Sequence, residues 1–83
     1  MRLTLKLFAT LGQYLPTGAK ANAIEVEVPD GATPHMVIDR FAVPRAKIHL
    51  VMVNGFYIQP ADRDRRPLED GDVLAICPPV AGG

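Results

Sequence analysis

The residues with the clearest chemical potential are Pro78-Pro79-Val80-Ala81-Gly82-Gly83, which come directly after a run that reads as a β-strand, Asp72-Val73-Leu74-Ala75-Ile76-Cys77. Neither proline has an N–H to donate, so the pair cannot continue a central sheet ladder and sends the chain off the sheet in an extended, semi-rigid course. The two glycines carry no Cβ, so these peptide units fit through a passage too narrow for side chains. The stretch from Pro78 to Gly83 reaches at most ~20 Å, at about 3.3–3.6 Å per residue. A strand that delivers a bare α-carboxylate on a thin tip makes that carboxylate the candidate reacting group. Gly83 carries it, and Gly82, Ala81, Val80, Pro79 and Pro78 form the arm that enters a pocket on a second protein. Glycines at a chain end are weak signals by themselves; the order strand, Pro-Pro, Gly-Gly gives these their meaning.

Such an arm needs a rigid base, and the remaining sequence supplies one. Leu3, Leu5 and Leu7 alternate with Arg2, Thr4 and Lys6, the pattern of a half-buried strand ending near Phe8. Leu11, Tyr14 and Leu15 fall in a short irregular or single-turn segment that Pro16 and Gly18 stop. Ile24, Val26 and Val28 alternate with Glu25 and Glu27 and predict a second strand, paired with the first as a hairpin. After a turn at Pro29-Asp30-Gly31, Thr33 is a good helix N-cap and Pro34 suits the first helical position. Val37, Ile38 and Phe41 give that helix one apolar face, and Pro44 keeps it short. A third strand covers Ile48 to Val53, Asn54-Gly55 predicts a type I′ turn, and Phe56-Tyr57-Ile58 returns as a fourth. A polar loop and a turn at Glu69-Asp70-Gly71 lead into the last strand.

Two hairpins flanking one helix require the helix to pack across one face of a mixed sheet. The fold class is therefore α+β: a β-grasp sheet of four to five strands with one short helix and an extended C-terminal tail. The first and last strands lie parallel in the centre. Val73, Leu74, Ala75 and Ile76 support this placement, because they leave the last strand no polar face. The domain is expected over residues 1–77 and the tail over 78–83.

Composition narrows the function classes. The 83 residues suffice for one domain, with little room for a deep cleft. Hydrophobic residues make up 48% and charged ones 22%, and nine Lys and Arg balance nine Asp and Glu. That balance favours neither nucleic acid nor an anionic membrane as partner. The single cysteine, Cys77, has no internal disulfide partner and suits a reducing cytosol, so a cytoplasmic location is expected. His35 and His49 are isolated, without metal-ligand spacing, and no apolar run approaches the ~20 residues that span a bilayer. Arg2 before an apolar stretch superficially suggests a signal peptide, but Thr4 and Lys6 interrupt it at strand spacing.

The motif Leu68-Glu69-Asp70-Gly71-Asp72 with the later Pro78-Pro79-Val80-Ala81-Gly82-Gly83 resembles the MoaD/ThiS family of ubiquitin-like sulfur carriers, and the Pro-Pro and Gly-Gly look most like its MoaD branch. Phe8-Ala9, Pro29-Asp30-Gly31-Ala32-Thr33 and Val53-Asn54-Gly55 match further landmarks of the family. The resemblance implies a carrier rather than an enzyme. An adenylating partner of the MoeB/ThiF type would use ATP and Mg²⁺ to convert the Gly83 carboxylate to an acyl-adenylate. A persulfide donor would then displace AMP and leave a thiocarboxylate. In the MoaD role the acceptor would be the large subunit of molybdopterin synthase; a ThiS-like role would serve thiamin or another thiolation pathway. The partner-binding residues so implied are Pro78 to Gly82 and Phe8. The residues agree with this picture: no Gly-rich phosphate cradle and no nucleophile–base pair is visible, so the partner must supply the nucleotide chemistry, and the chain itself is expected to bind no cofactor. A ubiquitin-like protein modifier, and a plain interaction module with an idle tail, are the competing readings.

Several residues have a bland reading that outweighs the functional one. Cys77 is a small apolar strand residue before it is a sulfur-relay thiol, although relatives often carry a bulky residue there. Arg63, Arg65 and Arg66 read as solvated loop cations neutralised by Asp62 and Asp64 before they read as a docking patch. His35 and His49 are expected at the surface or rim, and Phe8, Phe56 and Tyr57 in the core or on the sheet surface.

Overall fold

The computed structural model describes residues 1–79; Val80, Ala81, Gly82 and Gly83, and with them most of the expected tail, lie outside the described residues. Five strands form one mixed sheet: β1 (Arg2–Leu7), β2 (Ala23–Glu27), β3 (Leu50–Val53), β4 (Phe56–Tyr57) and β5 (Val73–Cys77), in the order β2-β1-β5-β3-β4. The helix α1 spans Pro34–Arg40. Short 3₁₀ helices occupy Ala9–Tyr14, Arg45–Lys47 and Pro60–Asp62.

The centre is the parallel pair predicted from the sequence. Thr4 lies opposite Val73, Leu5 opposite Leu74 and Leu7 opposite Ile76. β1 pairs antiparallel with β2 on one side, and β5 antiparallel with β3 on the other. The period-2 geometry of strands then sorts the side chains. Leu3, Leu5, Leu7, Val51, Val53, Leu74 and Ile76 point to the helix side and are almost wholly buried, joined there by Val37 and Ile38 of α1. Leu11, from the first 3₁₀ helix, and Leu68 close the ends of this core.

Local chemistry sets the element ends. The Thr33 side chain accepts a hydrogen bond from the Met36 N–H at 3.3 Å, and Pro34 takes the first helical position, where its missing N–H costs nothing. Asn54 and Gly55 both have positive φ, 53° and 85°, as the tight I′ turn between β3 and β4 requires. The Asn54 side chain also accepts from the Val73 N–H and donates to Asp72, fastening this hairpin to the start of β5.

The end of α1 is unusual. The Val43 N–H donates to the Ile38 carbonyl and the Ala42 N–H to the Asp39 carbonyl, the paired bonds of a Schellman motif. The left-handed position of that motif, normally glycine, is held by Ala42 at φ 58°. Ala42→Gly is therefore expected to stabilise the domain by about 0.5–1 kcal/mol, because relief of the Cβ clash outweighs the added freedom of the unfolded chain. Paired denaturant titrations check this; a lower midpoint for the glycine variant contradicts it.

Candidate tail root and docking face

β5 brings the chain to Cys77, and the sheet holds its last two peptide units from both sides. The Phe8 N–H donates to the Ile76 carbonyl at 3.1 Å, and the His49 N–H donates to the Cys77 carbonyl at 2.9 Å. Leu50 is also the register partner of Cys77, so His49 and Leu50 together oppose one residue. Two residues against one is the count of a β-bulge, a device that bends a strand and redirects the chain beside it. Pro78 comes next, half-buried, and Pro79 is exposed. Of the expected arm, these two prolines fall within the described residues, and they leave from the middle of the sheet.

The face opposite α1 surrounds this root. Alternation places Thr4 and Lys6 of β1, Val73, Ala75 and Cys77 of β5, and Leu50 and Met52 of β3 on it. Phe8, extended at φ −92° and ψ 157°, continues the alternation and is half-buried beside the root. Tyr57 pairs with Met52 and remains 53% exposed at the margin. Leu50, Met52, Ala75, Cys77 and Phe8 thus form an apolar strip that no described helix or strand covers, the composition of the centre of a protein interface. Phe56, expected in the core or on the sheet surface, pairs with Val53 on the edge strand β4 and stands 73% exposed.

Burial pushes the Cys77 thiol above its ordinary range. The protonated thiol is a poor nucleophile, which fits the reading of Cys77 as a packing residue at the root.

The arginine loop divides. Arg65 pairs with Asp62 at 3.1 Å and Arg66 is exposed, as expected of a solvated loop. Arg63 departs from that expectation: it is 6% exposed and bonds to backbone carbonyls rather than to either aspartate. Asp64 turns instead to His35 at 2.8 Å, and His35, expected at the surface or rim, has a side chain only 14% exposed. Arg45 makes a paired contact with Asp39, at 2.7 and 3.1 Å, and its guanidinium holds the Asp39 carboxyl below the usual carboxylate range. These charges tie α1 to the loops beside it. A shallow, largely apolar groove between β2 and α1, lined by Val28, Pro29, Ala32, Met36, Val37 and Arg40, lies at the far end of the sheet from the root.

Among the described residues, no group of three or more His, Cys, Asp or Glu side chains is arranged to hold a metal ion. No described helix is long and apolar enough to cross a membrane.

A family model described as the ThiS family matches residues 5–83, nearly the whole chain and through both glycines. The chain belongs to the ThiS family. The family consists of small ubiquitin-like carriers, so this member is a carrier by family rather than a catalyst. No curated protein matches the sequence. Among solved structures, the Haloferax volcanii HVO 2177 protein is similar at 30% identity with a TM-score of 0.72, covering 100% of this chain and 87% of the other. SAMP1 from Haloferax volcanii is similar at 26% identity and a TM-score of 0.70 over the full length of both chains. A chain from the complex of subunits 1 and 2 of the Helicobacter pylori molybdopterin-converting factor, 20% identical with a TM-score of 0.62 over the full length of both, shares the fold. These neighbours and the five-stranded mixed sheet establish the ubiquitin-like β-grasp architecture.

Proposed function

We propose that this ThiS-family chain carries sulfur as a thiocarboxylate on Gly83 and delivers it for molybdopterin synthesis. The observation that carries the reading is the family match, which runs through Gly82 and Gly83; the strand that precedes them in the sequence, Val73–Cys77, lies in the centre of a sheet face that is apolar around its end. A carboxylate is a poor electrophile, and adenylation by a MoeB/ThiF-type partner with ATP and Mg²⁺ gives it a good leaving group. The terminal sulfur of a persulfide attacks the acyl carbon and AMP departs. A second thiol then cleaves the acyl disulfide, leaving the thiocarboxylate and a new disulfide. The face bearing Phe8, Leu50 and Cys77 docks on the partner while the arm from Pro78 to Gly82 threads the terminus into its active site. The acceptor in this reading is the large subunit of molybdopterin synthase. Support comes from the Helicobacter pylori complex, in which a protein of this fold belongs to an assembly of subunits 1 and 2.

A second reading, a ubiquitin-like modifier whose activated Gly83 is joined to lysines of other proteins, is favoured by the full-length likeness to SAMP1. Intact-mass measurement after incubation with ATP, Mg²⁺, a matching adenylating enzyme and a persulfide source separates the two. Exchange of one terminal oxygen for sulfur is the expected result. Isopeptide adducts on other proteins, without that exchange, establish the modifier instead. An unchanged mass with every plausible partner overturns both.

A further inference from the structure

Arg63 has an environment that the solvated-loop reading does not explain. It is 6% exposed, and no carboxylate among the described residues pairs with it. A buried cation without a counter-charge is costly unless hydrogen bonds replace its water. Here backbone carbonyls do so: Nε donates to the Ile58 carbonyl at 3.0 Å and Nη2 to the His49 carbonyl at 3.3 Å. The guanidinium also sits 5.8 Å from the centre of the Tyr57 ring. Ile58 comes just after β4 and His49 just before β3, so one planar fork spans the exit of one strand and the entry of its neighbour.

His49, just before β3, holds the tail root beside Leu50, the β3 partner of Cys77. Its N–H holds the Cys77 carbonyl, and its own carbonyl is held by Arg63. At a bulge the extra residue leaves the regular ladder and needs another partner to fix it. Cys77 is the last residue of β5, and Pro78, lacking an N–H, cannot add a further rung. We infer that Arg63 is a positioning residue: by fixing His49 it fixes the last sheet-held carbonyl, and with it the point and direction from which the tail departs. The inference rests on the carrier reading, because only a tail that must meet a partner's active site needs a fixed point of departure.

Two measurements on the full chain test it, each with Arg63→Met and, should that variant fold poorly, Arg63→Lys, whose compact ammonium cannot hold both carbonyls in the geometry of the fork. The first is amide hydrogen exchange. The His49 amide is expected to exchange on the order of tenfold faster, while the Leu74 and Ile76 amides keep their protection. The second is adenylation by a matching activating enzyme, read as pyrophosphate exchange. The expected kcat falls about tenfold while KM for the carrier stays within about twofold, because the docking face is intact and the delivered group is misaligned. Unchanged His49 exchange, a uniform rise at every amide, or a loosened His49 with wild-type kcat each overturns the inference. If the unaltered chain is not adenylated at all, the carrier reading fails, and the exchange data alone then decide whether Arg63 holds the root.

Discussion

A chain lacking Gly83 is expected to lose activation completely while melting within a degree or two of the full-length protein (a shift of about 4–8 °C would signal a loss near 1 kcal/mol in a domain of this size). The two halves of this result have separate causes. Removing one residue withdraws the reacting carbonyl by about 3.3–3.6 Å. A misplacement of about 1 Å can already cost on the order of a hundredfold in rate, so the adenylate should not form at a detectable level. Stability is expected to hold because, among the described residues, the last core member is Ile76 and the last strand ends at Cys77. Pyrophosphate exchange and a thermal melt on the same preparation check both halves. Full activity of the shortened chain overturns the assignment of Gly83 as the reacting residue, and a melting point several degrees lower overturns the separation of tail from domain.

Leu74→Ala should have the opposite profile, an intact tail on a failing platform. Leu74, the second residue of β5, is fully buried, with Leu5 beside it on β1 and Val53 on β3. Truncating a buried leucine costs about 2–5 kcal/mol, the lost transfer energy plus the cavity left behind. A domain of 83 residues has a total stability of roughly 4–12 kcal/mol. The substitution therefore removes a large fraction of the reserve, and a sizeable unfolded population should appear under mild denaturant. Urea titration reads this as a fall in midpoint with little change in slope. A loss below about 1 kcal/mol would mean that β5 is not the strand on which the core depends.

Much of the platform was legible because its signals are local. The alternation of Leu3, Leu5 and Leu7 defines β1, Thr33-Pro34 marks the start of α1, and Asn54-Gly55 fixes the hairpin with both residues at positive φ. The parallel pairing of β1 with β5 could be read from the uninterrupted apolar run of β5. What escaped depended on contacts distant in sequence or on a residue standing where its type is unfavourable. The end of α1 carries no glycine, since Ala42 holds the left-handed position, so the stop had to be read from Pro44. The segment with Leu11, Tyr14 and Leu15, read as irregular or a single turn, is a six-residue 3₁₀ helix at Ala9–Tyr14, and the third strand starts at Leu50 rather than Ile48 because Arg45–Lys47 takes a 3₁₀ turn first.

The candidate site was legible in type but not in surroundings. Pro78, Pro79 and the glycines declare themselves by composition. The docking face does not, because a strand that is apolar on both sides conceals which residues face a partner; only the pairing of Cys77 with Leu50 and of Ala75 with Met52 separates them. Arg63 is the sharper case. Its neighbours Asp62, Asp64 and Arg65 are polar, and nothing in that run distinguishes it. Its burial is dictated by the carbonyls of Ile58 and His49, which only the folded chain brings within reach.

The central position of β5 has a consequence for biosynthesis. The sheet cannot close until Val73–Cys77 has left the ribosome, because both β1 and β3 need it as their neighbour. Pairing the first strand with the last is a non-local contact of the kind that forms late. The nascent polypeptide therefore waits, with its leucine-rich opening strand lacking one of its two neighbours, until the last strand has been made. The glycines that a partner would act upon follow this strand in the sequence, so the residue expected to react is made only after the platform that presents it.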